Sequence, residues 1–138
     1  MNFDSYWAAV DEELVAIPGR PVLDPLPALT TADATTYAVR LASIGPYRIF
    51  GHLSIPAGEG PFPALLQLPR YGSVNHVPHP NDRARYVVFG LMHRGQRLAD
   101  EGFSAAYPGL LTLGIDEPAS YVYRLIAADC LRAAEKYR

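Results

Sequence analysis

The sequence has little with which to fasten itself covalently. Its one cysteine, Cys130, excludes an intrachain disulfide and suits a reducing compartment. It also lacks an excess of positive charge: 12 Lys and Arg against 14 Asp and Glu give a net charge of -2, so nothing draws it to nucleic acid or an anionic membrane. No apolar run approaches the ~18 residues of a membrane span. The opening Met1-Asn2-Phe3-Asp4-Ser5 has no basic segment followed by an apolar one, as a secretory leader would. These absences give the expectation of a soluble, cytoplasmic chain with no nucleic-acid or membrane partner. What it has in quantity is proline (13) and glycine (11) beside a hydrophobic fraction of 49%, which implies many turns around a core rather than disorder. At 138 residues the chain is one domain's worth.

Trp7, Val10, Leu14 and Ile17 recur at helical spacing after Asp4 or Ser5 as cap, and Pro18-Gly19 ends the helix. Prolines 18, 21, 25 and 27 forbid a regular helix or central strand, so this stretch reads as an extended, surface-wrapping connection. Thr35 to Ile44 alternates, with Tyr37, Val39 and Leu41 on one face. Tyr47 to Ile55 alternates again beyond Gly45-Pro46, so the two read as a β-hairpin whose polar face carries a solvated His52. Two apolar runs too short for helices follow, Ala64 to Leu68 and Arg85 to Met92. Both read as buried strands, the first broken at Pro69 and turning by Gly72, the second ending in His93-Arg94-Gly95-Gln96. Between them, Ser73 to Asn81 carries His76, His79 and prolines 78 and 80 and reads as non-helical, and Asp82 to Ala84 allows at most a short turn. Near the end, Pro118 suits the first turn of a helix capped by Asp116 or Glu117. Val122, Leu125, Ile126, Cys130, Ala133 and Tyr137 form its buried stripe, and Arg132, Lys136 and Arg138 complement its C-terminal end. The fold class is therefore α/β, with the hairpin, two parallel strands and a helix at each end.

These corners carry a resemblance. Tyr71-Gly72 after the first buried strand, Arg94-Gly95-Gln96 after the second, the opening Phe3-Asp4-Ser5-Tyr6-Trp7 and the stretch Gly114 to Arg124 resemble, in this order, the acetyl xylan esterase and cephalosporin C deacetylase family of α/β-hydrolases. The resemblance implies a partial α/β-hydrolase sheet, with residues 1–138 as the N-terminal half of one domain that lacks the nucleophile-bearing part. It implies serine esterase chemistry on short acyl esters, acetyl esters of sugars or small molecules, without metal or organic cofactor. The loop at Tyr71 would then give a backbone N–H to the oxyanion of the tetrahedral intermediate. Taken by itself, Tyr71 is equally a plain turn residue. Where many members have His-Gly before the tyrosine, this chain has Pro69-Arg70. Either the loop has another shape or Arg70 stands at the pocket rim to meet an acidic substrate group; both remain open. Arg94, Gly95 and Gln96 read as a structural brace for the site.

No Gly-x-Ser-x-Gly elbow is present; Gly102-Phe103-Ser104-Ala105-Ala106 lacks the second glycine and follows no strand, so Ser104 reads as a loop serine. The nucleophile, acid and base are expected from a missing C-terminal half or a partner chain, leaving this chain inactive alone. The alternative is a non-enzymatic half-domain that binds another chain through the open edge of the strand at Ala64 to Leu68. A complete small enzyme built on Ser104 is a third reading. His76 and His79, with Asp82 and His93, could be drawn as a metal site, but Val77-Pro78 between the histidines denies them a helical spacing, so no metal is expected. Cys130 reads as a small core residue, and Tyr121, Tyr123 and Tyr137 as aromatic packing in place of a sugar platform. The resemblance leaves room for a homo-oligomer.

Overall fold

The computed structural model describes residues 2–45, 47–71, 73, 75–96, 98–99 and 112–135. Helix α1 spans Phe3–Ala16 and strands β1, β2 and β3 span Val22–Pro25, Ala34–Ser43 and Tyr47–Pro56, with a short 3-10 turn at Pro27–Leu29. They are followed by β4 (Ala64–Gln67), the one-turn helix α2 (Pro80–Arg83), β5 (Val87–Met92) and α3 (Val122–Glu135). The five strands form one sheet in the order β1-β2-β3-β5-β4. The hairpin pairs antiparallel from Ala34↔Pro56 to Ser43↔Tyr47, as its alternation requires. β4 and β5 are parallel, from Ala64↔Val87 to Gln67↔Gly90. β4 is the outermost strand beside them, with Ala64 exposed and Leu68, just beyond it, 52% exposed.

The face that carries Val39, Leu41, Ile49, Phe89 and Leu91 packs against Ala133 of α3. α1 places Val10 and Leu14 against Ala128 of α3 and Ile44, with Trp7 and Ile17 at the margin. Gly51 of β3 makes room for the Phe89 ring: a Cβ there would lie 2.2 Å from Phe89 Cε2. The opposite face is only partly solvated. Thr36 and Ser54 are buried on it and hydrogen-bond each other at 3.2 Å. Arg83 of α2 donates to Thr36 Oγ1 at 2.6 Å and to the Leu29 carbonyl, so α2 and the 3-10 turn are latched to the sheet.

Several local expectations are corrected. The cap of α1 is Asn2, whose side chain accepts from the Ser5 N–H, and not Asp4 or Ser5, which lie inside the helix. The proline-rich connection contains β1, an edge strand paired to β2, the one position in a sheet where Pro25 is tolerated. α3 starts at Val122 and not at Pro118: residues 112–120 are turns, the Val122 N–H donates to the Leu113 carbonyl, and the Pro118 carbonyl accepts from Tyr6 Oη at 3.0 Å. A tertiary contact thus takes the Asp116-Glu117-Pro118 signature out of the helix. Arg132 stands in the last turn of α3, as expected, with Nη1 on Glu135 at 2.8 Å, but it also serves a second helix. Its guanidinium reaches α1, donating to Leu14 O at 2.7 Å and Ile17 O at 2.6 Å, two acceptors at a helix end that has no basic residue of its own. Tyr137, Lys136, Arg138 and Ser104 lie outside the described residues.

Candidate functional site

The C-terminal ends of the parallel pair meet at one corner. β4 runs out at Gln67 into Leu68-Pro69-Arg70-Tyr71, and β5 at Met92 into His93-Arg94-Gly95-Gln96. Asn75 holds the two strand ends together, its amide donating to Gln67 O at 2.9 Å and Leu91 O at 3.0 Å. Gly90 lies beneath it, with the Asn75 Cβ at van der Waals distance from where a side chain would begin.

Gln96 fastens the β4 loop to the β5 corner. Its Oε1 accepts from the His93 N–H at 3.2 Å, while its Nε2 donates to Arg70 O at 3.2 Å and to Ser73 O. The Arg70 carbonyl also accepts the Ser73 N–H at 3.1 Å, which closes the turn. Gly95 has φ +79°, a left-handed conformation that lets the chain double back and aim Arg94 away from Gln96. Its N–H donates to Tyr47 Oη at 3.2 Å.

On the other side of the corner, Arg94 makes a buried ion pair. Asp129 Oδ2 accepts from the Arg94 N–H and Nε at 2.9 Å each, and Oδ1 accepts from Arg94 Nη2 at 2.8 Å and Ser43 Oγ at 2.6 Å. Arg94 Nη2 also reaches Ile44 O at 2.8 Å, and its guanidinium lies over the Tyr47 ring at 4.9 Å. β2, β5 and α3 are thereby pinned together behind the corner. A cavity of about 190 Å³ opens there, lined by Tyr47, Arg94, Leu113, Ser120, Val122 and Leu125; Tyr71 does not line it.

Tyr71 is half-buried. Its ring lies 6.3 Å from that of His93, nearly parallel at 19°, and 5.6 Å from that of Tyr123 at 31°. Tyr121 adjoins Tyr123 at 5.9 Å, so these tyrosines pack on one another. Burial, then the neighbouring Tyr123, pushes the Tyr71 phenol above its ordinary value. Arg70 is exposed. Among the described non-glycine residues only Arg20 and Leu98 have positive φ, so the backbone at Arg70 does not call for glycine.

The histidines separate. His76 is exposed, and His79 Nδ1 accepts the Asn81 N–H as the cap of α2. His93 is 1% exposed and its Nδ1–H donates to Arg94 O at 2.7 Å; burial is the largest influence on it and lowers its pKa. Among the described residues no three His, Cys, Asp or Glu side chains are grouped to hold a metal ion. His52, expected in solvent, is half-buried with Nδ1 shielded and without a hydrogen-bond partner, edge-on to Phe50 at 5.2 Å, and burial lowers its pKa. Burial, then Asp129, pushes the Cys130 thiol up to about 11. Sequence reasoning missed Asp129, Ser43 and Asn75. Asp129 was findable: four residues from Leu125 and from Ala133, it falls on the buried stripe of α3, where a carboxylate needs a cation.

No helix among the described residues is long and apolar enough to cross a membrane. No family model matches the sequence. Solved structures similar to it include two acetyl xylan esterases. One is acetyl xylan esterase 1 from Thermoanaerobacterium sp. JW/SL YS485, with a TM-score of 0.83 and 24% identity over 97% of this chain and 44% of that one. The other is an acetyl xylan esterase from Paenibacillus sp. R4, with a TM-score of 0.81 and 24% identity over 98% of this chain and 46% of that one. The chain thus has a partial α/β-hydrolase fold and spans less than half the length of these structures.

Proposed function

We propose that the chain is the N-terminal half of a serine esterase that removes short acyl groups, acetyl above all, from sugars or related small molecules. The observation that carries this reading is the corner joined by Gln96, because it presents the β4 loop at the C-terminal end of a parallel pair, where ligands meet α/β sheets. In that reading the Tyr71 backbone N–H donates to the oxyanion, Arg70 stands at the pocket rim, and Arg94, Gly95 and Gln96 brace the loop. A donor in this position contributes only if it is already oriented when charge develops, which is what a loop held by side-chain hydrogen bonds supplies. The similarity to two acetyl xylan esterases supports the acyl class. The nucleophilic serine, acid and histidine come from the remaining part or a partner chain, and the intact protein works in the cytoplasm without metal or organic cofactor. Cephalosporin-type acetyl esters belong to the same substrate class, and a homo-oligomer is compatible with it.

The test is p-nitrophenyl acetate hydrolysis by residues 1–138, by its Ser104→Ala variant, and by the product of the gene read past codon 138. An inert 138-residue chain beside an active extended product supports the reading. Turnover by the short chain that Ser104→Ala abolishes overturns it. A second reading rests on the open β4 edge: a half-domain that binds another chain by strand addition. A stop codon after Arg138 with a stable, catalytically inert product favours that alternative.

A further inference from the structure

The brace at Gln96 holds the carbonyls of the β4 loop, but it does not touch the Tyr71 side chain. The Tyr71 ring adds aromatic contacts to that hold. We infer that His93 is the positioning residue for Tyr71: its imidazole is the fixed plane against which the Tyr71 ring lies, and this sets the pitch of the loop.

Four observations support this. His93 is fully buried at the end of β5, so its ring cannot reorient into solvent. Its Nδ1–H donates to Arg94 O at 2.7 Å, which fixes the ring about its last side-chain torsion. Its own backbone carries both bonds of the Gln96 turn, N–H to Oε1 and carbonyl from the Gln96 N–H, so ring and brace move as one body. The Tyr71 ring is tilted only 19° from the imidazole at 6.3 Å, an offset stack within the range where aromatic pairs attract. Both partners stay uncharged near neutrality, because burial favours neutral imidazole and neutral phenol alike. Tyr123 of α3 meets the same tyrosine, so the loop is referenced to the sheet and to the helix at once. The inference gives the proposed oxyanion loop its orientation and in that sense rests on it, yet the contact itself is read without turnover.

The experiment separates the ring from its hydrogen bond in the full chain. His93→Asn keeps a donor for Arg94 O and removes the ring; His93→Phe keeps the ring and removes the donor. The readouts are the ring proton shifts of Tyr71 and the exchange rate of the Ser73 N–H. In His93→Asn the Tyr71 shifts should move toward random-coil values, and the Ser73 N–H should exchange about tenfold faster. In His93→Phe, which keeps the ring but loses the bond that fixes its torsion, both should move less than in His93→Asn. Unchanged shifts and exchange in a folded His93→Asn chain would overturn the inference, as would an equal loss in both variants. Where His93→Asn does not fold, Tyr71→Leu reads the same contact from the other side. A move of the His93 ring resonances supports the stack, and their constancy overturns it. An inert extended protein would sink the esterase reading and leave these readouts in place.

Discussion

Replacing Asp129 with asparagine tests the corner at its most buried point. The side chain is 0% exposed and accepts four hydrogen bonds, three of them from Arg94, whose own side chain is 7% exposed. Asparagine fills the same volume, so the change removes charge and one acceptor without opening a cavity. Wherever its NH₂ group points, it meets an Arg94 donor: at the Oδ2 position it opposes the Arg94 N–H and Nε–H, and at Oδ1 it opposes Nη2. At least one guanidinium or amide N–H is left buried and unpaired, and the cation loses its counter-charge. Breaking a buried pair in this way costs about 3–5 kcal/mol, a large part of the about 5–15 kcal/mol that holds a domain together. The assay is urea denaturation at pH 7 followed by circular dichroism, with the slope required to stay constant so that the midpoint reports stability. Arg94→Met with Asp129→Leu is the control; the double variant should lose much less than the two single losses combined, since an apolar pair leaves no charge stranded. An Asp129→Asn chain within about 0.5 kcal/mol of the parent would refute the reasoning, because that is the scale of a surface substitution.

Gly51→Ala places a methyl group into the Phe89 ring and within 3.0 Å of Gly90 O, so it should cost at least the roughly 1–3 kcal/mol of an overpacked core, read from the same denaturation curves. The thiol of Cys130, raised to about 11 by burial, should react with Ellman's reagent at pH 8 only after unfolding, since roughly one thousandth of it is thiolate in the native chain. His52 and His93 both have pKa values lowered by burial from 6.5, so the unfolded chain binds protons first. Their contribution is fully present above that value and is lost as pH falls toward the folded pKa values. The denaturation midpoint should therefore drop between pH 7 and 5, and His52→Phe should flatten part of that slope.

What could be read from the sequence was whatever repeats locally. The hairpin followed from the alternation of Tyr37, Val39 and Leu41 and its mirror beyond Gly45, because a period of two has one consistent burial pattern. α1 followed from Trp7, Val10, Leu14 and Ile17, although its cap lay at Asn2. The parallel pair followed from two apolar runs and their polar ends. Apart from the Asn2 cap, which is local, the main misses share another property: they depend on groups far apart in the chain. Asp129 meets Arg94 across 35 residues, Arg83 meets Thr36 across 47, and Arg132 meets Leu14 across 118. Local pattern marks such residues as polar and assigns them to solvent. The start of α3 failed for the same reason, since Asp116-Glu117-Pro118 is a sound local signature that the contact from Tyr6 displaces.

The corner was legible in its residues and not in its wiring. Arg94-Gly95-Gln96 could be picked out, but its form makes sense only once its surroundings are known. The arginine must offer its backbone N–H and two guanidinium nitrogens to one carboxylate, a geometry a lysine could not supply. The glycine must take φ +79°, so that the next side chain departs in a different direction. The glutamine must accept from His93 and donate to two carbonyls of the β4 loop, a combination that glutamate, with no donor, cannot offer. Each residue type is dictated by a different neighbour, on α3, within the turn and on the β4 loop. The corner therefore connects the packing of α3 against the sheet to the loop at Tyr71, through contacts that are buried at Asp129 and part-buried at Gln96. A change at Asp129, remote in sequence from Tyr71, should reach that loop through Arg94 and the turn before it reaches any other part of the surface.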